Sequence, residues 1–541
     1  MGASSSSEQK PTSEVNEVES EAAYTGALTM LRSCFTKLAD PQSHAIPLES
    51  LQQCFLLSHE DPVCESPSMP AYFPALLSHV GQSLVDENFV IEKGGVNWVE
   101  FLKWYVKFCG RMPASVSLHS LLKIVAAVTS KSGLPMRLEF ESSYGDGDGK
   151  INGYLLPSHV LILLWMCWTM LWNSKTPKIS KGKQILCLPD VTHLVLSAVV
   201  SCAEVGSDKN LWDCDISSLE VQLPVGKFLT WALKTVPGLT DCLKEFINAR
   251  LQSVSSSEDA SEPSNSSLGD TSPTNDFGNY ILTRGRAWGI SLSMRSSIST
   301  EIMKPFFPDS REKADDKLLY RSSLHGRGLN RFWSSVEGYH GSLLILVAAT
   351  SGEISENSTN TMKWIIAALT HEGLQNKDSF YGSSGCLYAI CPVFQVFSPS
   401  GKEKNFIYSH LHPTGRVYDP HPKPVGIAFG GTIGNERIFL NEDFSRVTVR
   451  HHAVDKTYQH GSLFPSQGFL PVEASVSEVE VWGLGGDRAK EVQTSYKKRE
   501  ELFTEQRRKV DLKTFANWED SPEKLMLDMT SDPNTVRRED R

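Results

Sequence analysis

The sequence lacks a long hydrophobic run. No stretch of about 18 or more apolar residues occurs, so no transmembrane helix is predicted. The nearest candidate is Val160–Trp172, which has 13 residues and is closely flanked by Pro157, His159 and Asn173. It is too short to span a bilayer. It predicts a buried core helix, with an interfacial or partner-binding face as the alternative.

Paired cysteines, a secretory signal and an excess of basic residues are also absent. The 11 cysteines include no C-x-x-C pair, which is typical of reduced thiols and indicates neither a disulfide framework nor a zinc site. The first twenty residues are polar and acidic, without an apolar segment of the kind that starts a secreted protein. The formal net charge of −10 argues against a globally basic nucleic-acid binder, and no nucleic-acid partner is expected.

Catalytic motifs are missing as well. Gly382–Gly385 resembles a nucleophile elbow, but Cys386 stands where the last glycine belongs. Gly326–Arg331 begins like a dinucleotide-binding loop and ends in arginine instead of glycine. Neither a P-loop nor an H-E-x-x-H motif occurs. The sequence therefore predicts a protein that is not an enzyme.

The first residues carry a candidate lipidation signal. Removal of Met1 would expose Gly2, and Ser6 stands where myristoylation motifs require serine or threonine. The alternative is a flexible, serine-rich leader. One acyl chain binds a bilayer only marginally, and Lys10 is the only basic residue nearby. A membrane-bound form would therefore need a second attachment.

Composition and periodicity divide the chain into five parts. We predict a flexible acylated leader at 1–20, a helical region at 21–251, a disordered linker with a lead-in at 252–315, a strand-rich domain at 316–486, and a charged C-terminal helix and tail at 487–541. The strand-rich domain is indicated by short apolar runs between Gly and Pro. Among them are Ser342–Ala349, Trp364–Leu369, Cys386–Ile390 and Val476–Gly483.

Two incomplete EF-hand patterns occur in the helical region. Glu100 takes the last ligand position of one loop, whose first three ligand positions cannot bind calcium. Asp146 and Asp148 supply the third and fifth positions of the other, which lacks the final glutamate. We expect a degenerate EF-hand pair with poor calcium affinity, so no cofactor is predicted beyond weak calcium. The alternative is a Gly/Asp-rich turn.

A set of motifs occurs in a fixed order between residues 318 and 483. They are Leu319–Gly326, Ile427–Gly431, Ile438–Phe444 and Val479–Gly483. In this order they resemble the TLDc domain of the oxidation-resistance family. The positions that match its signature are Ser322, His325, Gly326, Gly430, Gly431, Glu442, Asp443, Glu480, Trp482 and Gly483.

The resemblance implies a fold and a function. TLDc domains are two-layer antiparallel β-sandwiches with flanking helices and no established active site. The fold class implied for the whole chain is α+β multidomain, with an all-α, EF-hand-like N-terminal region. Members of the family are tied to oxidative-stress resistance and bind peripheral subunits of the vacuolar proton pump. We therefore expect a non-enzymatic, membrane-associated adaptor that binds and regulates this pump.

The layout of the whole chain is more loosely similar to the myristoylated, lysosomal mTOR-associated TLDc proteins. This similarity adds growth signalling to the expected function. It also implies a cytoplasmic protein on the lysosomal, vacuolar or another endomembrane, held there in part by the acyl chain. Two alternatives stay open. One is a thiol-based antioxidant that uses Cys386 or Cys391. The other is a soluble nuclear or nucleolar factor.

The C-terminal helix carries a cluster of basic residues. These are Lys497, Lys498, Arg499, Arg507, Arg508 and Lys509. Given the resemblance, the helix is a candidate to insert between pump subunits or to contact acidic lipid. The alternative is a solvated helix whose charges pair with one another.

Overall fold

The computed structural model describes most of the chain. The described residues are 10–57, 59, 62–65, 69–89, 95–141, 149–176, 185–203, 216, 219–256, 280–307, 314–351, 362–412, 420–451, 455–464, 468–518, 524 and 526. Gly2, Asp146 and Asp148 lie outside these residues. The predictions made for them therefore stay predictions.

The N-terminal part is predominantly helical. Its helices are α1 Lys10–Tyr24, α2 Leu28–Leu38, α3 Leu48–Cys54, α4 Phe73–Ser78, α5 Val80–Asp86, α6 Trp98–Cys109, α7 Ala114–Lys131, α8 Pro157–Lys175, α9 Thr192–Cys202, α10 Val225–Thr235, α11 Asp241–Ser255, α12 Arg284–Leu292 and α13 Ser297–Met303. Its short strands are β1 Val63–Cys64, β2 Leu138–Phe140, β3 Ile151–Leu155, β4 Cys187–Leu188 and β5 Leu223–Pro224. Strands β1 and β4 pair in parallel, and β2, β3 and β5 form a second small sheet. The prediction of an all-α region is therefore wrong in detail, because the long connections pair their backbone groups in these strands.

Helix α8 lies at the centre of this part. Every residue from Val160 to Trp172 is buried. Trp165 donates its indole N–H to the carbonyl of Pro189 at 3.0 Å, and Trp168 donates to Cys187 at 2.9 Å. The prediction of a buried core helix is confirmed. No single described helix is long and apolar enough to cross a membrane, although Trp98–Cys109 and Ala114–Lys131, bent by 111°, meet that test as a pair.

The predicted leader, 1–20, contains the start of a helix. Helix α1 begins at Lys10, and its Val18 and Ala22, four residues apart on one face, are both buried. Glu14 pairs with Lys103 at 2.6 Å, so α1 is held against α6. Residues 10–20 are therefore part of a helix and not of the flexible leader predicted for 1–20.

The predicted lead-in before residue 316 is also folded. Residues 280–307 contain α12 and α13, and Trp288 and Ile302 are buried in the same hydrophobic core as α8. Helix α12 lies very close to the chain before α9. A Cβ atom on Gly285 would stand 1.8 Å from the carbonyl oxygen of Asp190. The segment is an integral part of the core and not a lead-in.

The C-terminal part is built on one antiparallel sheet. Its strands are β6 Leu318–Arg321, β7 Leu343–Ser351, β8 Met362–Thr370, β9 Lys377–Tyr381, β10 Gly385–Cys391, β11 Gln395–Phe397, β12 Ile407–His410, β13 Gly426–Thr432, β14 Asn435–Asn441, β15 Arg446–Val449 and β16 Val472–Gly483. Its helices are α14 Ala314–Lys317, α15 Ser322–His325, α16 Leu329–Val336 and α17 Gly486–Trp518. The strand order is β11-β10-β8-β7-β16-β15-β14-β13-β12-β9, and β6 pairs with β16.

This sheet is curled, and the predicted two-layer sandwich is corrected accordingly. Ile345 of β7 and Phe429 of β13 point into one shared core, although their strands lie far apart in the sheet order. Strand β16 pairs continuously with β7, and its register shifts between Val476 and Glu478. Such a bulge bends a strand and increases its twist. Because β16 joins the two halves without a break, the sheet closes into a half-barrel.

The outer face of β7, β8 and β10 is covered by the helical part. Leu344, Ile365 and Tyr388 belong to the same core cluster as α8. Their neighbours along each strand, such as Ile345 and Ile366, face the inside of the curled sheet. Burial on both faces explains why these strands are continuous apolar runs in the sequence.

Candidate functional site

Glu480 of β16 joins the helical part to the sheet. Its side chain is 0% exposed. It accepts hydrogen bonds from the backbone N–H groups of Ile281 at 2.8 Å and Leu282 at 3.2 Å, and from the indole of Trp482 at 3.1 Å. Arg321 lies 3.7 Å away. Burial raises the pKa of Glu480, although these hydrogen bonds and the arginine act in the opposite direction.

Ser322 lies beside a second glutamate of β16. Its hydroxyl donates to Glu478 and accepts from the backbone N–H of Val479 at 3.0 Å. The backbone N–H of Ser323 also donates to Glu478, at 2.8 Å. Partial burial acts to raise the pKa of Glu478, but these hydrogen bonds and the Arg321 cation outweigh it and lower the pKa.

The lowered pKa predicts a specific pH dependence. A carboxyl whose pKa is lower in the folded than in the unfolded protein stabilises the fold at pH values above its ordinary pKa, here 4.5. That contribution is lost as the pH falls through the pKa that the group has in the folded protein. Glu478→Gln is therefore expected to reduce the free energy of unfolding more near pH 7 than near pH 3.5. Urea unfolding at both pH values measures this difference. An equal loss of unfolding free energy at the two pH values would contradict the prediction.

The other signature residues occupy structural positions. His325 accepts from the backbone N–H of Arg321 at 3.0 Å, and the carbonyl of Gly326 accepts from the hydroxyl of Tyr320 at 2.7 Å. A Cβ atom on Gly483 would lie 2.8 Å from the ring of Tyr339. Six of the signature residues therefore lie on or next to the paired strands β6 and β16. They are Ser322, His325, Gly326, Glu480, Trp482 and Gly483.

Gly430 and Gly431 lie in a second place, beside a buried ion pair. Gly431 has a φ of +83°, and a Cβ atom on it would stand 2.3 Å from the carbonyl of Asn435. Its N–H donates to Asp455, which pairs with Arg437 at 3.3 Å with both side chains 0% exposed. These contacts among Gly431, Asp455 and Arg437 hold β13 and β14 in place.

Glu442 and Asp443 lie in a third place, the turn between β14 and β15. The Glu442 carbonyl accepts from the backbone N–H of Leu329 at 2.8 Å, so it fixes the start of α16. Asp443 accepts from the backbone N–H of Ser445 at 3.0 Å, and hydrogen bonds from Ser445 lower the pKa of Asp443. The ten signature residues thus fall into three separate structural groups.

The two cysteines considered for antioxidant chemistry are largely buried. Burial raises the pKa of Cys386 and of Cys391, despite a hydrogen bond from Tyr388 to the first and the Arg286 cation near the second. A higher pKa lowers the thiolate fraction at neutral pH, and the thiolate is the reactive form. These environments disfavour a peroxide-reactive thiol at either position.

Glu100 caps a helix. Its backbone N–H donates to the side chain of Asn97 at 2.9 Å, and its carboxylate accepts from the backbone N–H of Asn97 at 3.4 Å. This is a capping box at the start of α6. Val96 exchanges backbone hydrogen bonds with Ile46 at 2.8 and 2.9 Å, which links the α5–α6 connection to the α2–α3 connection. The EF-hand interpretation of the loop that ends at Glu100 remains a prediction.

The second predicted calcium loop is flanked by strands. Residues 142–148, which include Asp146 and Asp148, are outside the described part, but β2 precedes them and β3 follows, paired from Leu138–Gly153 to Phe140–Ile151. An EF-hand loop connects two helices directly. The described flanks of this loop are thus strands and not helices, and calcium binding by Asp146 and Asp148 stays a prediction. Within the described residues, no three His, Cys, Asp or Glu side chains are grouped to hold a metal ion.

Helix α17 begins on the sheet domain and extends beyond it. Gln493 is buried and donates to the carbonyl of Ser335 at 2.9 Å. Lys497 donates to the same carbonyl at 3.2 Å, and burial lowers the pKa of Lys497. Lys497 therefore helps to attach the helix to the end of α16, where orphan carbonyls favour a cation. Among the residues of the predicted basic cluster, Lys497 is thus partly buried.

The rest of the tail is exposed. Every described side chain from Lys498 to Lys509 faces solvent, including Arg499, Arg507 and Arg508. Leu502 and Phe503 are 59% and 63% exposed. The 33-residue helix is about 50 Å long at 1.5 Å per residue. Gln493, Tyr496 and Lys497, in its first turns, bond to the sheet domain.

Some functional positions were missed by sequence reasoning. Ile281 and Leu282 contribute backbone N–H groups, which carry no side-chain signal. The close approach of α12 was marked only by Gly285 and Gly289, four residues apart in a helix, and that spacing was a usable sign of tight packing.

Comparison with known proteins identifies the C-terminal part. No curated protein matches the chain. Residues 294–485 match the TLDc domain, which starts upstream of the predicted boundary at 316 and ends within one residue of the predicted end. The TLDc domain therefore includes the curled sheet with its buried Glu480 and helix α14, which precedes β6.

Proposed function

We propose that this protein is a non-enzymatic, membrane-associated adaptor whose TLDc domain binds and regulates the vacuolar proton pump. A role in oxidative-stress resistance is consistent with the TLDc domain. The finer parts of the proposal are acylation of Gly2, a lysosomal or vacuolar location, and a link to growth signalling. They rest on the layout of the sequence.

The observation that carries the proposal is the projecting half of α17, the helix that directly follows the TLDc domain and its last strand β16. Most helices in proteins are stabilised by packing, and an isolated helix is marginal in water. The first turns of α17 are fixed by Gln493 and Lys497, whereas Leu502 and Phe503 are exposed at adjacent positions further along. A long, anchored helix with an exposed apolar pair amid mixed charges is suited to insertion between subunits of a partner.

The signature residues serve the fold, and the proposal therefore does not assign them a catalytic role. Glu480, Ser322 and Gly431 each have a bonding or packing role within the fold. Burial raises the pKa of the two candidate thiols, which disfavours the antioxidant alternative. We therefore assign the family's stress role to binding.

Two charge-introducing variants test the tail. The full chain, immobilised, is incubated with a membrane extract that contains the pump. Recovery of its peripheral subunits by the Leu502→Glu/Phe503→Glu variant is expected to fall at least about tenfold, because a charge replaces an apolar anchor at each position. Quantitative blotting of those subunits measures the recovery.

The matched control changes another exposed apolar pair. Phe469 and Leu470 are 86% and 80% exposed on the sheet domain. Phe469→Glu/Leu470→Glu is expected to leave recovery unchanged. Equal recovery by all variants would remove the role of the tail, and no recovery by the unaltered chain would remove pump binding itself.

A further inference from the structure

A pocket opens in the helical part, between α8, α11, α12 and α13. Its volume is about 600 Å³, and sites for small molecules typically have about 300–1,000 Å³. The floor of the pocket is apolar. It consists of buried residues and of two partly buried ones, namely Leu171, Trp288, Leu292 and Met303, with Met294 and Phe307. A floor of this kind favours an apolar ligand.

The charged side chains of the pocket are already paired. Lys175 pairs with Glu245 at 2.7 Å, and Arg295 pairs with Asp241 at 3.5 Å. Among the described lining residues, the one other charged side chain, Lys304, is also in an ion pair. An ionic ligand would have to displace one of these partners, whereas an uncharged hydrocarbon chain would not. The pocket therefore suits an uncharged ligand.

The rim of the pocket carries hydroxyl groups. Ser296, Ser297 and Thr300 are exposed where α13 begins, and all three line the pocket. A hydroxyl can donate to a carbonyl oxygen or accept from an N–H group, so these side chains can bond both groups of an amide. The lining thus matches a hydrocarbon chain that ends in an amide.

Helix α1 begins near this pocket. Glu14 pairs with Lys103 at 2.6 Å, and Glu19 accepts from the indole of Trp98 at 2.8 Å. Later residues of α1 thus contact earlier residues of α6, so the two helices are antiparallel. The start of α1 therefore lies toward the C-terminal end of α6.

That end of α6 contacts α11, which lines the pocket. The thiol of Cys109 donates to the carbonyl of Lys244 at 4.0 Å, and Asp241, within one turn of Lys244, lines the pocket. Packed helices lie about 10 Å apart, so the two spacings from α1 to α6 and from α6 to α11 amount to about 20 Å. The segment from Gly2 to Lys10, outside the described residues except for its last, can extend about 26 Å at about 3.3 Å per residue. A group on Gly2 can therefore reach the pocket.

We propose that this pocket holds the chain's own N-terminal acyl group, attached to Gly2, and so keeps it from the membrane. The hydrocarbon chain lies on the apolar floor, and the amide that joins it to Gly2 bonds to the hydroxyl groups of the rim. The inference rests on the acylation of Gly2 in the proposed function and adds its regulation. Because one acyl chain binds a bilayer only marginally, a pocket of modest affinity can compete with the membrane for it.

Binding of a fluorescent acyl probe tests the occupancy of the pocket. The full chain is produced with and without N-myristoyltransferase, and mass spectrometry identifies the acyl group on Gly2. The probe is an uncharged tetradecanoyl amide with a dansyl label. We expect saturable binding to the unacylated chain. Binding to the acylated chain should be at least about tenfold weaker, because a pocket that its own acyl group fills for about nine-tenths of the time loses that factor in apparent affinity.

A substitution that fills the pocket tests the release of the acyl group. Ser299 lines the pocket, is half-buried, and donates locally to the carbonyl of Ser296 at 2.8 Å. Ser299→Trp is expected to abolish saturable binding of the probe by the unacylated chain. In the acylated chain it should raise the fraction that floats with phosphatidylcholine vesicles at least about threefold, because the displaced acyl group can enter the bilayer.

Two controls accompany this variant. Ser130 is exposed on α7, which contributes no described residue to the pocket. Ser130→Trp is expected to leave probe binding and flotation unchanged. Gly2→Ala/Ser299→Trp fills the pocket in a chain that cannot be acylated, so it should not float. This double variant separates release of the acyl group from a general exposure of apolar surface.

The contrary results distinguish the inference from the acylation on which it rests. Absence of an acyl group from Gly2 after production with the transferase overturns both. An acylated chain that binds the probe as well as the unacylated chain does, or an unacylated chain without saturable binding, overturns the inference alone. Equal flotation of the acylated chain with and without Ser299→Trp also overturns it. So does flotation of Gly2→Ala/Ser299→Trp, because the gain would not then come from the acyl group.

Discussion

Glu480→Ala is expected to reduce the free energy of unfolding by about 4 kcal/mol. The substitution leaves the N–H groups of Ile281 and Leu282 and the indole of Trp482 without an acceptor in a buried place. It also removes the carboxylate near the Arg321 guanidinium, 3.7 Å away. Unsatisfied buried donors bear their full desolvation cost, which makes this one of the most damaging single substitutions in the chain. Urea unfolding followed by tryptophan fluorescence measures the loss.

Two further variants separate this role from a general effect on β16. Glu473 lies on the same strand, is exposed, and pairs with Arg446 at 3.4 Å. Glu473→Ala is expected to change stability by less than about 0.5 kcal/mol. Glu480→Gln keeps one carbonyl acceptor, so its loss of stability should lie between the losses of Glu480→Ala and Glu473→Ala. If Glu480→Ala costs no more than Glu473→Ala, Glu480 is not the junction we describe.

Gly285→Ala is expected to reduce the free energy of unfolding by about 3 kcal/mol. The added Cβ atom would stand 1.8 Å from the carbonyl oxygen of Asp190 and 2.8 Å from its carbonyl carbon. Both are backbone atoms, so relief requires α12 to move away from the chain before α9. That movement would disturb the packing of Trp288, which is fully buried. Urea unfolding measures this loss as well.

Gly226→Ala is the matched control. Gly226 also lies in a helix, α10, but a Cβ atom on it would have no atom within 4 Å. There alanine is expected to stabilise the fold by a few tenths to about 1 kcal/mol, because it forms helix better than glycine. Opposite signs for the two glycines would establish close packing as the cause. Equal effects would contradict it.

The strands of the TLDc domain could be predicted from sequence because their pattern is local. Trp364–Leu369 and Cys386–Ile390 are continuous apolar runs, and they correspond to β8 and β10. The curl could not be predicted, since it depends on a bulge near Ser477 and on core contacts between distant strands. Runs of apolar residues specify strands, but they do not specify whether those strands form one sheet or two.

The site was predictable only in part for a similar reason. Glu480 was identified by its resemblance to a signature, while its partners are backbone groups about 200 residues earlier in the chain. Residues 280–307 were assigned to the lead-in before the strand-rich domain, although they form part of the helical core. Arg284 is buried by pairing with Glu65 at 2.9 Å, a contact that no local pattern reveals.

The continuity of β16 with α17 has a mechanical consequence. Only Leu484 and Gly485 separate the last residue of the strand from the first residue of the helix. A partner that held the tail and moved would therefore pull along β16. That strand is bonded to β7 on one side and to β15 and β6 on the other, so the load would spread over three neighbours at once. Through Glu480 it would also reach the helical core. Helix α17 is thus attached directly to a strand at the centre of the sheet. A force applied to the helix would therefore act on both parts of the molecule.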